Sequence, residues 1–161
     1  MKDSKTSNDM KQDPGTHGIA VALNHVLSNE YSLFTQTLNY HRNITGPRFH
    51  SSHLFLDGQY HELLEIMDSV AERVRVLDEH PFGTIKQLYS DTELKDSTQK
   101  QLMAEDMLKN LYKDHQQIKS QIKEIVCDDK MFANEPGVQD FLTGVLEKHE
   151  TMAWMLKSHL V

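Results

Sequence analysis

From residue 48 to residue 78 the chain contains no proline, and its apolar side chains recur every three or four positions: Leu56, Tyr60, Leu63, Met67, Val70, Val74 and Leu77. That period belongs to the α-helix, because a half-buried strand would alternate every second residue. So long a seam predicts one long helix with a packed face, and such a face must be covered by other helices. Gly46-Pro47 bounds the helix on one side and His80-Pro81-Phe82-Gly83 on the other. With 7 Gly and 4 Pro in 161 residues, the chain has little of the punctuation that many short strands would need.

The same period returns three times. Ile19, Leu23, Val26, Leu27, Phe34 and Leu38 mark a first helix over residues 17–43. Leu102, Met107, Leu108, Leu111, Ile118, Ile122 and Ile125 mark another over 97–127. The last opens at Asn134-Glu135-Pro136, carries Phe141, Leu142, Val145, Leu146, Met152, Ala153 and Leu156, and runs to Val161. A short helical piece, Ile85 to Tyr89, falls in the long connection between the second and third helices. The fold class is therefore all-α: a four-helix bundle of the ferritin-like topology, with a short extra helix in the crossover. Residues 17–161 form its one domain. Residues 1–16, with Lys2, Lys5, Lys11, Asp3, Asp9 and Asp13, read as a flexible tail of zero net side-chain charge, with Asp13-Pro14-Gly15 as a break.

The formal charge of −7 opposes binding to a phosphate backbone. A lone Cys127 excludes an intrachain disulfide and suits a reducing compartment. No apolar run is long enough to span a bilayer, and the expected location is cytoplasmic.

With 10 His in the chain, a metal site is the chemistry to look for. Five residues stand out: His41, His53, Asp57, Asp68 and Glu72. His53/Asp57 and Asp68/Glu72 are i,i+4 pairs, each stacked on one helix face, and imidazole with carboxylate suits iron. Asp68 follows His53 by 15 residues, which is ~22 Å along a helix axis, so the two pairs cannot hold one ion within one chain. Two such helices packed antiparallel across a two-fold axis would bring them together, twice per dimer. On a helical wheel the pairs and Leu64 occupy a face distinct from the core seam, suited to meeting another subunit. Asp68 and Glu72 are like charges one turn apart, a mildly destabilising pair that Arg73 and Arg75 are near enough to relieve. No Glu-x-x-His occurs, so a di-iron centre of the usual kind inside one bundle is not expected.

The stretch His41-Arg42-Asn43-Ile44-Thr45-Gly46-Pro47-Arg48-Phe49, then His53, Asp57 and Asp68-Ser69-Val70-Ala71-Glu72-Arg73, resembles the signature of the Dps mini-ferritins. His149-Glu150-Thr151-Met152-Ala153-Trp154-Met155-Leu156 resembles their last helix. The resemblance spans residues 17–161. It implies a shell of twelve subunits that oxidises ferrous iron at two-fold interfaces, with hydrogen peroxide preferred over dioxygen, and stores ferric mineral inside. By position, His41 and His53 come from one subunit with Asp57 helping, and Asp68 and Glu72 from its partner. Arg42 departs from the family, which usually carries Trp there. Trp154 remains as a radical or electron relay near the site, or as a core residue. Asp140 resembles an acidic pore residue. His25, His61, His115 and His159 read as helix surface or flank, and His50 as off the ligand face. The competing reading is a DNA-compacting shell with a weak or silent metal site, which the neutral tail and anionic body disfavour.

Overall fold

The first hairpin is built from α1 (Pro14–Asn43) and α2 (Phe49–Val76). They are joined by a turn at Gly46, whose φ of 114° is open to glycine and strained for other residues. The computed structural model describes residues 14–95 and 102–160. α1 starts three residues before the expected position. Pro14 lacks a backbone N–H, and the first helical position does not need one, so the proline read as a break begins the helix. Residues 1–13 of the expected tail lie outside the described residues.

α3 (Ile85–Asp91) is the short helix of the crossover. Thr84 and Gln87 cap it reciprocally: Gln87 N donates to Thr84 Oγ1, and Thr84 N donates to Gln87 Oε1. The second hairpin pairs α4 (Ala104–Val126) with α5 (Pro136–His159). α4 begins later than the sequence period suggested, with Met103 still extended before it. Residues 96–101 lie outside the described residues. Among the described residues every regular element is a helix.

The two hairpins share one core, in which Leu23, Leu33, Leu63, Leu111, Ile118 and Leu142 are fully buried. Polar side chains of α1 fix the crossover against it. Buried Asn24 donates through Nδ2 to His80 O (3.2 Å) and accepts at Oδ1 from Phe82 N (2.8 Å). Asn29 Oδ1 accepts from Thr92 Oγ1 and Glu93 N, while its Nδ2 donates to Gln121 Oε1 on α4. His25 lies between Asp91 (3.0 Å) and Glu93 (3.4 Å). Asn24→Ala should therefore cost about 1–3 kcal/mol, because it strands a carbonyl and an N–H of the crossover with no partner. Urea unfolding would measure the loss.

Candidate metal site at the first hairpin turn

The turn after α1 brings the end of that helix beside the start of α2. His41 lies in the last turn of α1 and His53 near the first turn of α2. Their rings stack with centroids 3.9 Å apart. Each ring is also tied to the other residue's main chain: His41 Nδ1 is 3.0 Å from His53 O, and His53 Nδ1 is 2.8 Å from His41 O. A carbonyl oxygen only accepts, so both Nδ1 atoms carry hydrogen. The neutral rings therefore keep their lone pairs on Nε2, which is how outer hydrogen bonds prepare a histidine for a metal.

Asp57 stands one turn beyond His53. Its Oδ1 is 3.9 Å from His41 Nε2 and accepts a 2.9 Å hydrogen bond from the Tyr60 hydroxyl. His61 Nδ1 is 3.5 Å from Asp57 Oδ2 and bonds Asp57 O at 2.9 Å. The hydrogen bond to Asp57 holds the Tyr60 phenol above its ordinary range; burial and the Asp57 charge add to it, and Arg42 opposes. Tyr60 meets His41 edge-on at 5.1 Å, and Phe49 stacks on His53 at 5.2 Å. Arg42 is exposed, yet near enough to Tyr60 for its charge to act on the phenol. The hairpin thus presents two imidazole lone pairs and a carboxylate on a scaffold of aromatic rings.

Asp68 and Glu72 lie further along α2, both exposed, and Leu64 on the same flank is 47% exposed. The arginines that the sequence offered as compensation turn elsewhere. Arg73 stacks over the Phe141 ring on α5 at 5.0 Å, and Arg75 donates to Glu79 O at 2.6 Å. Among the described residues Asp68 and Glu72 form no ion pair, and no three His, Cys, Asp or Glu side chains converge on one metal position. The structure brings His41, His53 and Asp57 together and leaves Asp68 and Glu72 apart along the same helix.

Other expectations change. Trp154 is 64% exposed, so its placement in the core is overturned. Among the described residues its ring stacks on none of the site histidines. Asp140 is exposed and lines a cleft of about 1010 Å³ between α2 and α5, together with Ile66, Ser69 and Phe141. His159 stacks on Phe55 at 4.0 Å, whereas His61 is exposed as expected; His50 is exposed too.

His115 was expected on a helix surface and is 1% exposed instead. It sits in the core beside His149 and Glu30, both fully buried. The reason is periodicity. Leu108, Leu111, His115, Ile118 and Ile122 fall at intervals of three and four, so His115 occupies a seam position of α4. Glu30, between Val26 and Leu33, and His149, between Leu146 and Met152, hold equivalent positions in α1 and α5. An ionisable residue in the phase of a hydrophobic stripe was the available signal.

Residues 20–161 match the ferritin-like domain family. The chain is 34% identical over 148 residues to the low temperature-induced protein all0458 of Nostoc sp., covering 92% of this chain and 83% of that one. It is 25% identical to the DNA protection during starvation protein of Helicobacter pylori, covering 86% of this chain and 95% of that one. Its fold superposes on DpsC from Streptomyces coelicolor with a TM-score of 0.87 and 28% identity, covering 91% of this chain and 86% of that one.

Proposed function

The chain belongs to the ferritin-like family and, within it, to the Dps mini-ferritins; from that premise we propose that it oxidises ferrous iron at sites shared between two subunits and stores the ferric product. The observation that carries this reading is the reciprocal pair of bonds between His41 and His53. They leave two Nε2 lone pairs beside Asp57 at one end of α2, while Asp68 and Glu72 stand exposed and unrelieved further along it.

Two α2 helices packed antiparallel would set His41, His53 and Asp57 of one subunit against the partner's acidic pair. Ferrous iron is the substrate. Neutral imidazoles bind it, and the carboxylates favour its ferric product by their charge. Two ferrous ions each give one electron to one hydrogen peroxide; the O–O bond breaks, and two protons complete two waters. Both electrons leave together, so no hydroxyl radical escapes. Dioxygen is the alternative oxidant. The assembly proposed is a dodecameric shell with the mineral inside, Asp140 lining a path inward, and Trp154 relaying stray radicals. No helix among the described residues is long and apolar enough to cross a membrane.

The test is anaerobic ferrous loading followed by peroxide, with ferric absorbance recorded for the wild type and for Asp68→Ala/Glu72→Ala. Rapid oxidation in the wild type should fall by at least about 100-fold in the variant, because losing even the outer partners of metal ligands costs about 10–100-fold. Equal, slow oxidation in both would make these residues an ordinary charged helix face. Direct DNA binding is not favoured by a formal charge of −7 per chain, and a low-salt gel shift would check it.

A further inference from the structure

The described residues bury one carboxylate and two imidazoles, and all three lie in one string. His149 Nε2 is 2.6 Å from Glu30 Oε1, and His149 Nδ1 is 2.9 Å from His115 Nδ1. Glu30 and His149 are fully buried and His115 nearly so. The string crosses the bundle: Glu30 belongs to the first hairpin, His149 and His115 to the second. The metal chemistry proposed above uses none of these groups.

From this geometry we infer that Glu30, His149 and His115 form an acid-sensitive lock that holds the α1–α2 hairpin onto the α4–α5 hairpin. Two facing Nδ1 atoms at hydrogen-bond distance share one proton. A second proton there would set N–H against N–H. While the string is intact, then, one ring at most is an imidazolium, and burial keeps His115 neutral.

The surroundings reinforce the limit. From α4, Lys119 also faces His115; burial first, then His149, then Lys119 push the His115 ring well below the ordinary imidazole value. α2 buries no ionisable side chain that could take up the extra charge. The Lys123–Glu150 pair between α4 and α5 is half-exposed and already matched. A proton arriving on His115 therefore finds no carboxylate to meet it. Glu30 Oε2 has no hydrogen-bond partner among the described residues, so the acid end of the string is also short of one bond.

The sign follows from where protons bind. In the unfolded or opened chain His115 takes up a proton at the ordinary imidazole value, near 6.5, whereas in the closed bundle it does not. The opened state thus binds more protons below that value. Below that value the lock therefore weakens as pH falls. One extra proton multiplies the opening constant about tenfold for each pH unit lost.

Hydrogen exchange on the full-length assembled protein reads this directly. Protection is followed by mass spectrometry from about pH 7.5 to about pH 5, corrected for intrinsic exchange. Below about pH 6.5, peptides spanning Glu30, His115 and His149 should open about tenfold more per pH unit, with those at the His41–His53 turn as internal reference. In His115→Gln, which keeps a hydrogen-bonding partner for His149 but cannot be protonated, that rise should vanish. His115→Leu, an apolar residue in an apolar seam, is the second variant. An unchanged pH response in either variant overturns the lock, as does a wild-type response that is absent or equal in every peptide. If neither variant folds, the wild-type peptides still decide. Ferrous oxidation by the turn site is unaffected by either outcome.

Discussion

Glu30→Leu is expected to lower the stability of the bundle by about 3–5 kcal/mol, as for one partner removed from a buried ion pair. The side chain is fully buried, and its carboxylate meets His149 Nε2 at 2.6 Å. Removing it leaves the buried His149 Nε2 without the carboxylate it meets. His149→Leu should cost a similar amount, by stranding the carboxylate instead. The triple change Glu30→Leu/His115→Leu/His149→Leu should cost less than either single one. A buried charge cluster exchanged whole for apolar side chains of similar volume is often neutral or stabilising, because the desolvation of every member disappears with it. Guanidinium unfolding of the singles and the triple would measure this. Three costs that simply add would show that the string is not a coupled unit. A Glu30→Leu cost near that of a surface change, within about 0.5 kcal/mol, would show that the carboxylate is not charged.

The same string shows what the sequence conceals. The four long helices were legible because their apolar residues keep the helical period over several turns, and the extra helix because Ile85, Leu88 and Tyr89 keep it over a short piece after the Pro81-Phe82-Gly83 stop. Where the period met a charged letter, reading by residue type misled. His115 looks like surface as a histidine and like core as a position, and position prevails because Leu111 and Ile118 stand four before and three after it, and Leu108 and Ile122 seven to either side. Pro14 misled in the other direction, since a proline breaks a helix only inside it.

The candidate site was legible in its membership and not in its detail. Spacing along α2 separated His53 and Asp57 from Asp68 and Glu72, and the structure keeps them separate. No sequence pattern shows that His41 and His53 bond each other's carbonyls, because that depends on how closely one hairpin turn brings two chain ends. Nor does sequence reveal that Arg73 leaves Glu72 for the Phe141 ring, a choice made by the packing of α2 on α5. Both details bear on chemistry: one exposes the imidazole lone pairs, the other takes the Arg73 cation to an aromatic ring.

If each site is shared, two inactive proteins should restore activity when their subunits mix. His41→Ala/His53→Ala removes the imidazole half, and Asp68→Ala/Glu72→Ala the acidic half. Each alone has no complete site in any dimer. A mixed dimer has one interface position lacking both halves and one with both intact, as two-fold symmetry requires. Random mixing makes about half of the dimers mixed, so about one quarter of all positions should be complete. Co-expression with two affinity tags, capture on both, and ferrous oxidation with peroxide would read the recovery. Raising the fraction of mixed dimers should raise the activity in proportion, to a ceiling of about half the wild-type value. No recovery in a verified mixed dimer would mean that all the ligands act within one subunit, and the ~22 Å between the two pairs along α2 would then have to be bridged by some other route. Recovery at the expected fraction would place the iron between subunits, with the His41–His53 turn as one half of its site.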